Sequence, residues 1–387
     1  MATETGTATD YRDLLQKLKL FLTGESVSPI GSNGLNWVVE EERSASTSPL
    51  SSIPQGDADE LMQTASNNNQ DHDQIIFRST GGTSPEQPCY FGIQTYGLST
   101  TGYFNWQIRG LTGFASSSPQ YVSLADQPGR SPPAFLPLQN TTMTYWFIAN
   151  NRRVMGCVKT GTAYHSFYIG FINPFATNAE YPYPMCVAAT AHTEATIFSS
   201  NGITVSSAIL AGGGDSDQTL PVQGDLYPAM EASGFVRFTD GNWYGIKSFS
   251  TTGSTETAIN GTGPGVIHVW PASSPTSSIV PDGLLITETN SFSLDFRSTT
   301  PGGTPEKQII QTLGSPTFTT LWPLTLYNHN ASQLLGEYDG CYWAPGAGGL
   351  TSEDTIVDFG ESPEVTHIVF QNTHKTDAWQ YLAMRNE

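Results

Sequence analysis

Apolar positions change their period once along this chain. Tyr11, Leu14, Leu15, Leu18, Phe21 and Leu22 recur at the spacing of one stripe of an α-helix. Asp10 offers an N-cap oxygen, Asp13 a negative charge in the first turn, and Gly24 a left-handed stop. The pattern therefore predicts an amphipathic helix ending near Gly24, whose apolar face must cover either its own subunit or a neighbour.

Beyond Gly24 the helical period fades, leaving only a brief stretch at Tyr181 to Cys186, opposed by its two prolines, and another at Glu306 to Thr312. From Gln74 onward, short β-favouring runs alternate with Gly, Pro, Asn and Asp clusters. Ile75 to Arg78, Tyr90 to Gln94, Asn105 to Arg109, Tyr145 to Ala149, Val154 to Thr160 and Tyr164 to Phe171 are the first group. Asn150-Asn151 suits a tight turn with positive φ and Gly161 marks the next reversal, so residues 144 to 172 read as a three-stranded antiparallel meander. Asp240-Gly241 joins Phe235 to Phe238 and Asn242 to Ile246 as a hairpin. Further strands are expected at Val266 to Trp270, Gly283 to Ile286, Ser291 to Phe296, Trp322 to Tyr327, Cys341 to Trp343 and His367 to Gln371.

The expected fold class is mainly β, with antiparallel sheets in a sandwich-like or distorted multi-sheet body and one N-terminal amphipathic α-helix. The chain divides into a helix at 1–24, a polar arm at 25–73 and a β-rich core at 74–195. Hairpins with Ser/Thr/Gly-rich loops follow at 196–321, and a β segment at 322–387 completes the body. The low-complexity stretches Ser248 to Gly265 and Thr299 to Glu306 are expected to protrude.

Charge narrows the function. Only 13% of the 387 residues are charged, and 35 Asp and Glu against 16 Lys and Arg give a net charge of -19. Such a balance disfavours nucleic acid as a direct, sequence-specific partner. No apolar run approaches the ~20 residues of a membrane-spanning helix, and Met1 to Asp10 is polar and acidic, so neither membrane insertion nor a signal peptide is expected. Cys89, Cys157, Cys186 and Cys341 are too widely spaced for a thiolate metal site and read as small buried residues. The sequons at Asn140, Asn260 and Asn330 read as chance matches.

Local catalytic signatures, including G-x-S-x-G, H-E-x-x-H, the phosphate-binding P-loop and G-x-G-x-x-G, do not occur. His367 and His374, the closest histidine pair, are expected to be solvated or hydrogen-bonded rather than metal ligands, and Gly212 to Asp217 to be a flexible acidic loop rather than a calcium site. No cofactor is expected. Tyr103, Phe104, Trp106, Tyr145, Trp146 and Phe147 are compatible with sugar stacking, but their place inside strand patterns points to packing. Ser131 to Leu138, with Pro132, Pro133 and Phe135, should run extended over a surface rather than inside a sheet. Asn173-Pro174-Phe175 and Tyr181-Pro182-Tyr183-Pro184 are similar rigid strips, suited to internal bracing or to subunit docking.

Several of these segments together resemble a family of tailed-bacteriophage virion structural proteins. The resemblance is carried by Tyr145 to Arg153, Tyr164 to Phe171, Pro174 to Thr177 and Glu180 to Pro184. Also similar are the Tyr11 to Leu22 helix, Tyr103 to Phe114 with Gln127-Pro128-Gly129 and Ser131-Pro132-Pro133, Asp240 to Trp243, Leu335 to Gly340 and Thr366 to Val369. Thr196 to Ser233 and Ser248 to Leu321 fall outside it. The resemblance implies a non-enzymatic particle component, made in the host cytoplasm and located in the virion. It transfers no catalytic residue. The expected position is the tail tip or baseplate, as a homo-oligomer among other virion proteins, with a neck, collar or fibre-attachment position as the alternative. A carbohydrate-binding or carbohydrate-cleaving module contacting a host surface glycan is the reading from a different class. The expected assembly contacts are Tyr11, Leu14, Leu15, Leu18, Phe21 and Leu22 on the helix, with Pro132, Pro133, Phe135, Tyr181 and Tyr183 on the rigid strips.

Overall fold

A computed structural model describes residues 1–26, 33–43, 73–79, 88–98, 103–116, 124–132, 134–189, 233–247, 267–270, 321–328, 333–345, 350–358, 364–371 and 380–386. The fold is mainly β, in antiparallel sheets, with a single α-helix among the described residues. Expected strands at Gly283 to Ile286 and Ser291 to Phe296, the Glu306 to Thr312 stretch, the two low-complexity loops and Gly212 to Asp217 lie outside the described residues.

Helix α1 (Tyr11–Thr23) begins and ends as its sequence dictates. The Asp10 side chain accepts from the backbone N–H groups of Arg12 and Asp13, and Gly24 closes the last turn at φ 73°. Before it runs an unexpected strand, β1 (Ala2–Ala8), so the 1–24 segment is a strand followed by a helix. Its Thr-rich alternation lets it pair along its whole length with β7 (Met143–Ala149). The expected arm contributes a strand too: β2 (Trp37–Arg43).

Five strands form the smaller sheet: β2, β3 (Gln74–Ser79), β4 (Tyr90–Leu98), β5 (Tyr103–Leu111) and β6 (Ala134–Leu138), in that order. The Pro-rich strip thus enters a sheet, contrary to expectation. It can do so because it is the edge strand, where Pro137 needs no donor toward an outer neighbour.

The larger sheet starts β1, β7, β8 (Arg153–Thr160), β9 (Ala163–Phe171), β11 (Met185–Ala189), β12 (Ser233–Arg237), β13 (Trp243–Lys247). It continues through β14 (Ile267–Trp270), β15 (Trp322–Asn328), β16 (Gln333–Pro345), β19 (Gln380–Arg385), β18 (Val365–Gln371) and β17 (Thr355–Asp358). A two-residue strand, β10 (Asn173–Pro174), follows β9 closely and pairs with β16. The sheet therefore doubles back on itself. The 144–172 meander and the Asp240-Gly241 hairpin form as expected, with Gly241 at φ 87°.

One turn differs in mechanism. The β7–β8 connection uses no positive φ at Asn150 or Asn151. Instead the Asn150 side-chain oxygen accepts from the N–H groups of Arg152 (2.8 Å) and Arg153 (2.9 Å), an Asx turn that ties the reversal. Likewise Tyr181 to Cys186 forms no helix; its prolines bend the chain into β11.

Alternation builds two cores around one layer of strands. Tyr145, Phe147, Val158, Phe167, Ile169, Met185 and Val187 face α1 and the small sheet, where they meet Phe77, Phe91, Ile93, Trp106 and Leu136. Trp146, Ile148, Met155, Cys157, Tyr168 and Cys186 face the opposite way, against Leu326, Tyr338, Cys341, Phe370 and Met384 of the returning half. Strands β7, β8, β9 and β11 are accordingly covered on both sides, as their near-continuous burial shows.

Candidate functional site

Most residues expected to contact neighbours are used inside the chain. All six residues of the helix stripe, Tyr11, Leu14, Leu15, Leu18, Phe21 and Leu22, are buried in the first core. Of the two surfaces the stripe could cover, it lies against its own subunit. Arg12, on the same helix, makes a two-pronged ion pair with Asp73 (2.7 and 2.9 Å) that fastens the helix to the start of β3.

Tyr181 and Tyr183 are also interior. The Tyr181 phenol donates to the Arg237 carbonyl. The Tyr183 phenol reaches the carbonyls of Leu111 (2.8 Å) and Pro88 (3.1 Å), and its ring meets Phe171 edge-on. Burial pushes both phenols well above their ordinary pKa, so they stay neutral donors. Of the open alternatives for the Tyr-Pro strip, the structure therefore shows internal bracing. Pro132 is half-buried, Pro133 and the Phe135 side chain lie outside the described residues, and Phe135 itself belongs to β6. Trp106, Tyr145, Trp146 and Phe147 are buried, as their strand patterns suggested.

Three polar groupings stand out. In the first, Arg153, fully buried, donates to Asp339 through Nε (3.0 Å). Asn150 (2.8 Å) and Asn173 (3.3 Å) also donate to the same carboxylate. Burial would raise the Asp339 pKa, but the Arg153 charge and these hydrogen bonds outweigh it and hold the carboxyl below its ordinary value. The tie joins the β7–β8 turn, β10 and β16. Resemblance marked two of its segments, 145 to 153 and 335 to 340, but nothing in either segment signals that they meet.

The second grouping links β8 and β9 to the turn before β17. Glu353 accepts from Lys159 and from the Tyr164 phenol, both at 2.7 Å. Hydrogen bonds from Lys159 and Tyr164 lower its pKa. Glu353 takes φ 78°, the only non-glycine positive φ among the described residues. Glu353 donates to the Val369 carbonyl and Val369 donates to the Asp354 carbonyl, so two residues oppose one in a β-bulge. The bulge turns the carboxylate toward β8.

The third grouping is a rim of arginine and aromatic side chains at one end of the first core. The Arg237 guanidinium lies 5.2 Å from the centre of the Tyr183 ring. Arg237 pairs in register with Trp243, whose indole N–H donates to the Gly129 carbonyl (2.9 Å), next to exposed Arg130. Burial pushes the Cys89 thiol up, and the nearby Arg152 charge lowers it by a smaller amount. The Nε atoms of Arg152 and Arg237 are both buried and meet no hydrogen-bond acceptor.

Other groups are occupied structurally. All four cysteines are free and buried, and burial pushes the Cys341 thiol up to about 12. His367 is buried with its ring edge-on to Tyr342, while His374 lies outside the described residues. Among the described residues, no group of His, Cys, Asp and Glu is arranged to hold a metal ion, and no helix is long and apolar enough to cross a membrane. No family model matches the chain, and no curated protein matches it.

Proposed function

We propose that this chain is a non-enzymatic structural subunit of a tailed-bacteriophage virion, sited in the tail tip or baseplate and acting through oligomeric assembly. The observation that supports this most is how the fold uses its polar interior. Arg12 with Asp73, Arg153 with Asp339, and Lys159 and Tyr164 with Glu353 each join elements far apart in sequence, so these groups act as ties that stiffen a stack of sheets. A stiff body of sheets joined by such ties is suited to repeated contact with neighbours. The set of segments that resembles tailed-phage virion proteins adds the particle context.

The test is mass spectrometry of purified particles from the source lysate, with antibody-gold electron microscopy using serum raised against the whole chain. Label at the distal tail is the expected result. Label beneath the head would move the protein to the neck or collar. Particles that lack the chain by mass spectrometry would overturn the virion reading.

A further inference from the structure

Glycine follows asparagine at Asn33-Gly34, Asn201-Gly202 and Asn260-Gly261, and the first of these pairs lies among the described residues. Asn33 ties the end of α1 to the loop that leads into β2. Its Nδ2 donates to the Phe21 carbonyl (2.6 Å), a last-turn acceptor that the helix cannot satisfy from within and that the Gly24 N–H also reaches (3.2 Å). Its Oδ1 accepts from the Leu35 backbone N–H (3.1 Å), an Asx turn that folds the side chain back over the Gly34 peptide. Gly34 is exposed and takes φ 72°, and a Cβ at this position would meet nothing within 4 Å. The Gly34 nitrogen is therefore close to the Asn33 side chain, unshielded by a side chain of its own and open to solvent.

We propose that Asn33 is a deamidation site of the folded chain, and that its conversion releases the end of α1. The Gly34 N–H gives its proton to hydroxide, and the nitrogen lone pair forms a bond to Asn33 Cγ. Negative charge collects on Oδ1, where the Leu35 N–H already donates. The Cγ–Nδ2 bond then breaks, the leaving nitrogen takes a proton from water and departs as ammonia, and a cyclic imide remains. Water opens the imide at either carbonyl to aspartate or isoaspartate, so water is consumed and ammonia released in equal number. The product reverses the contact with the helix: a donor on the Phe21 carbonyl becomes a carboxylate facing it, at the end where the backbone dipole is already negative. The loop beyond keeps its other anchor, the Asn36 N–H to the Asn151 side chain (2.8 Å), and Leu35 and Trp37 stay buried. Deamidation thus frees the helix end from the loop and loosens the first core as the chain ages.

The experiment is incubation of the purified full chain for days at neutral and at mildly alkaline pH. Peptide mass spectrometry and isoaspartate-specific methylation read Asn33, and circular dichroism reads the fold. A synthetic peptide of residues 31–38 sets the rate without the helix. Asn33 in the folded chain should convert at no less than a tenth of the peptide's rate, and faster at the alkaline pH. Asn33→Gln, whose longer side chain cannot close the same ring, should show no conversion at this position. Asn33→Asp, the conversion product, should melt a few degrees below fresh wild type, with Asn33→Ala, which removes the donor without adding charge, between the two. An Asn33 that stays an amide in a chain with its native spectrum, while the peptide converts, would overturn the proposal. Asn33→Asp melting with wild type would overturn release of the helix end. Both readouts belong to the chain alone, so particles lacking the chain would remove the virion reading and leave this one standing.

Discussion

The two faces of the β7, β8, β9 and β11 layer are held by different physics. Toward α1 and the small sheet, the centre of the contact is apolar, with Phe77, Phe91, Trp106, Phe147 and Phe167, and hydrogen bonds such as those of the Tyr183 phenol and the Trp37 indole to backbone carbonyls join neutral groups. Toward the returning half of the large sheet, apolar packing is supplemented by specific ties from Arg153 to Asp339 and from Lys159 and Tyr164 to Glu353. The first face gains stability from area removed from water, which is indifferent to pH. The second depends on carboxylates staying ionised. One layer thus carries a pH-insensitive contact on one side and an acid-sensitive one on the other.

The comparison breaks most severely if the first face is removed. Deleting residues 1 to 24 strips β1 from β7 and uncovers the first core, so loss of the native β circular dichroism signal is expected rather than a folded body lacking an attachment helix. A soluble deletion product with the wild-type spectrum and melting temperature would refute this.

Single truncations come next. Phe77→Ala, at a site with no exposure and a stacked Phe91 neighbour 4.9 Å away, should cost about 3–5 kcal/mol in urea denaturation at any pH where the protein folds. Asp339→Asn should cost about 3 kcal/mol at neutral pH, because it leaves the Arg153 charge buried and uncompensated. Its penalty should have a pH signature. Asp339 has a folded pKa below its unfolded one, so its contribution is present above the ordinary aspartate range and is lost as pH falls through the lowered folded value. Denaturation curves of wild type and Asp339→Asn should therefore converge on acidification. Parallel curves down to about pH 2 would show that the pair does not titrate in this way.

The smallest effect sharpens the comparison at Glu353. Glu353→Ala loses the Lys159 and Tyr164 contacts while keeping a side chain at positive φ; Glu353→Gly loses the same contacts but relieves the backbone. The glycine variant should be the more stable of the two by about 0.5–1 kcal/mol, measured by thermal unfolding. Equal stability would mean that the bulge costs nothing to hold.

Legibility in the sequence follows the range of the interaction. The helix was readable because Asp10, the apolar stripe and Gly24 lie within one short segment, and the 144–172 meander because its strands are contiguous. β1 was missed because its Ala, Thr and Gly residues carry little apolar signal and its order comes from β7, more than 130 residues away in sequence. β6 was misread because the prolines that bar a central strand are tolerated at an edge, and edge position is a property of the sheet. Arg153 and Asp339 are unremarkable residues in separate runs until β10 pairs with β16 and brings them together.

Local patterning by itself determined the mainly β class, the capped N-terminal helix and the hairpins, because period, capping and turn chemistry act over a few residues. Only the tertiary structure decided that the helix stripe and the Tyr-Pro strip face inward, that the large sheet doubles back, and which arginines find carboxylates. Those outcomes depend on which distant strands meet, and the energy that selects among pairings belongs to the contacts themselves rather than to either partner segment.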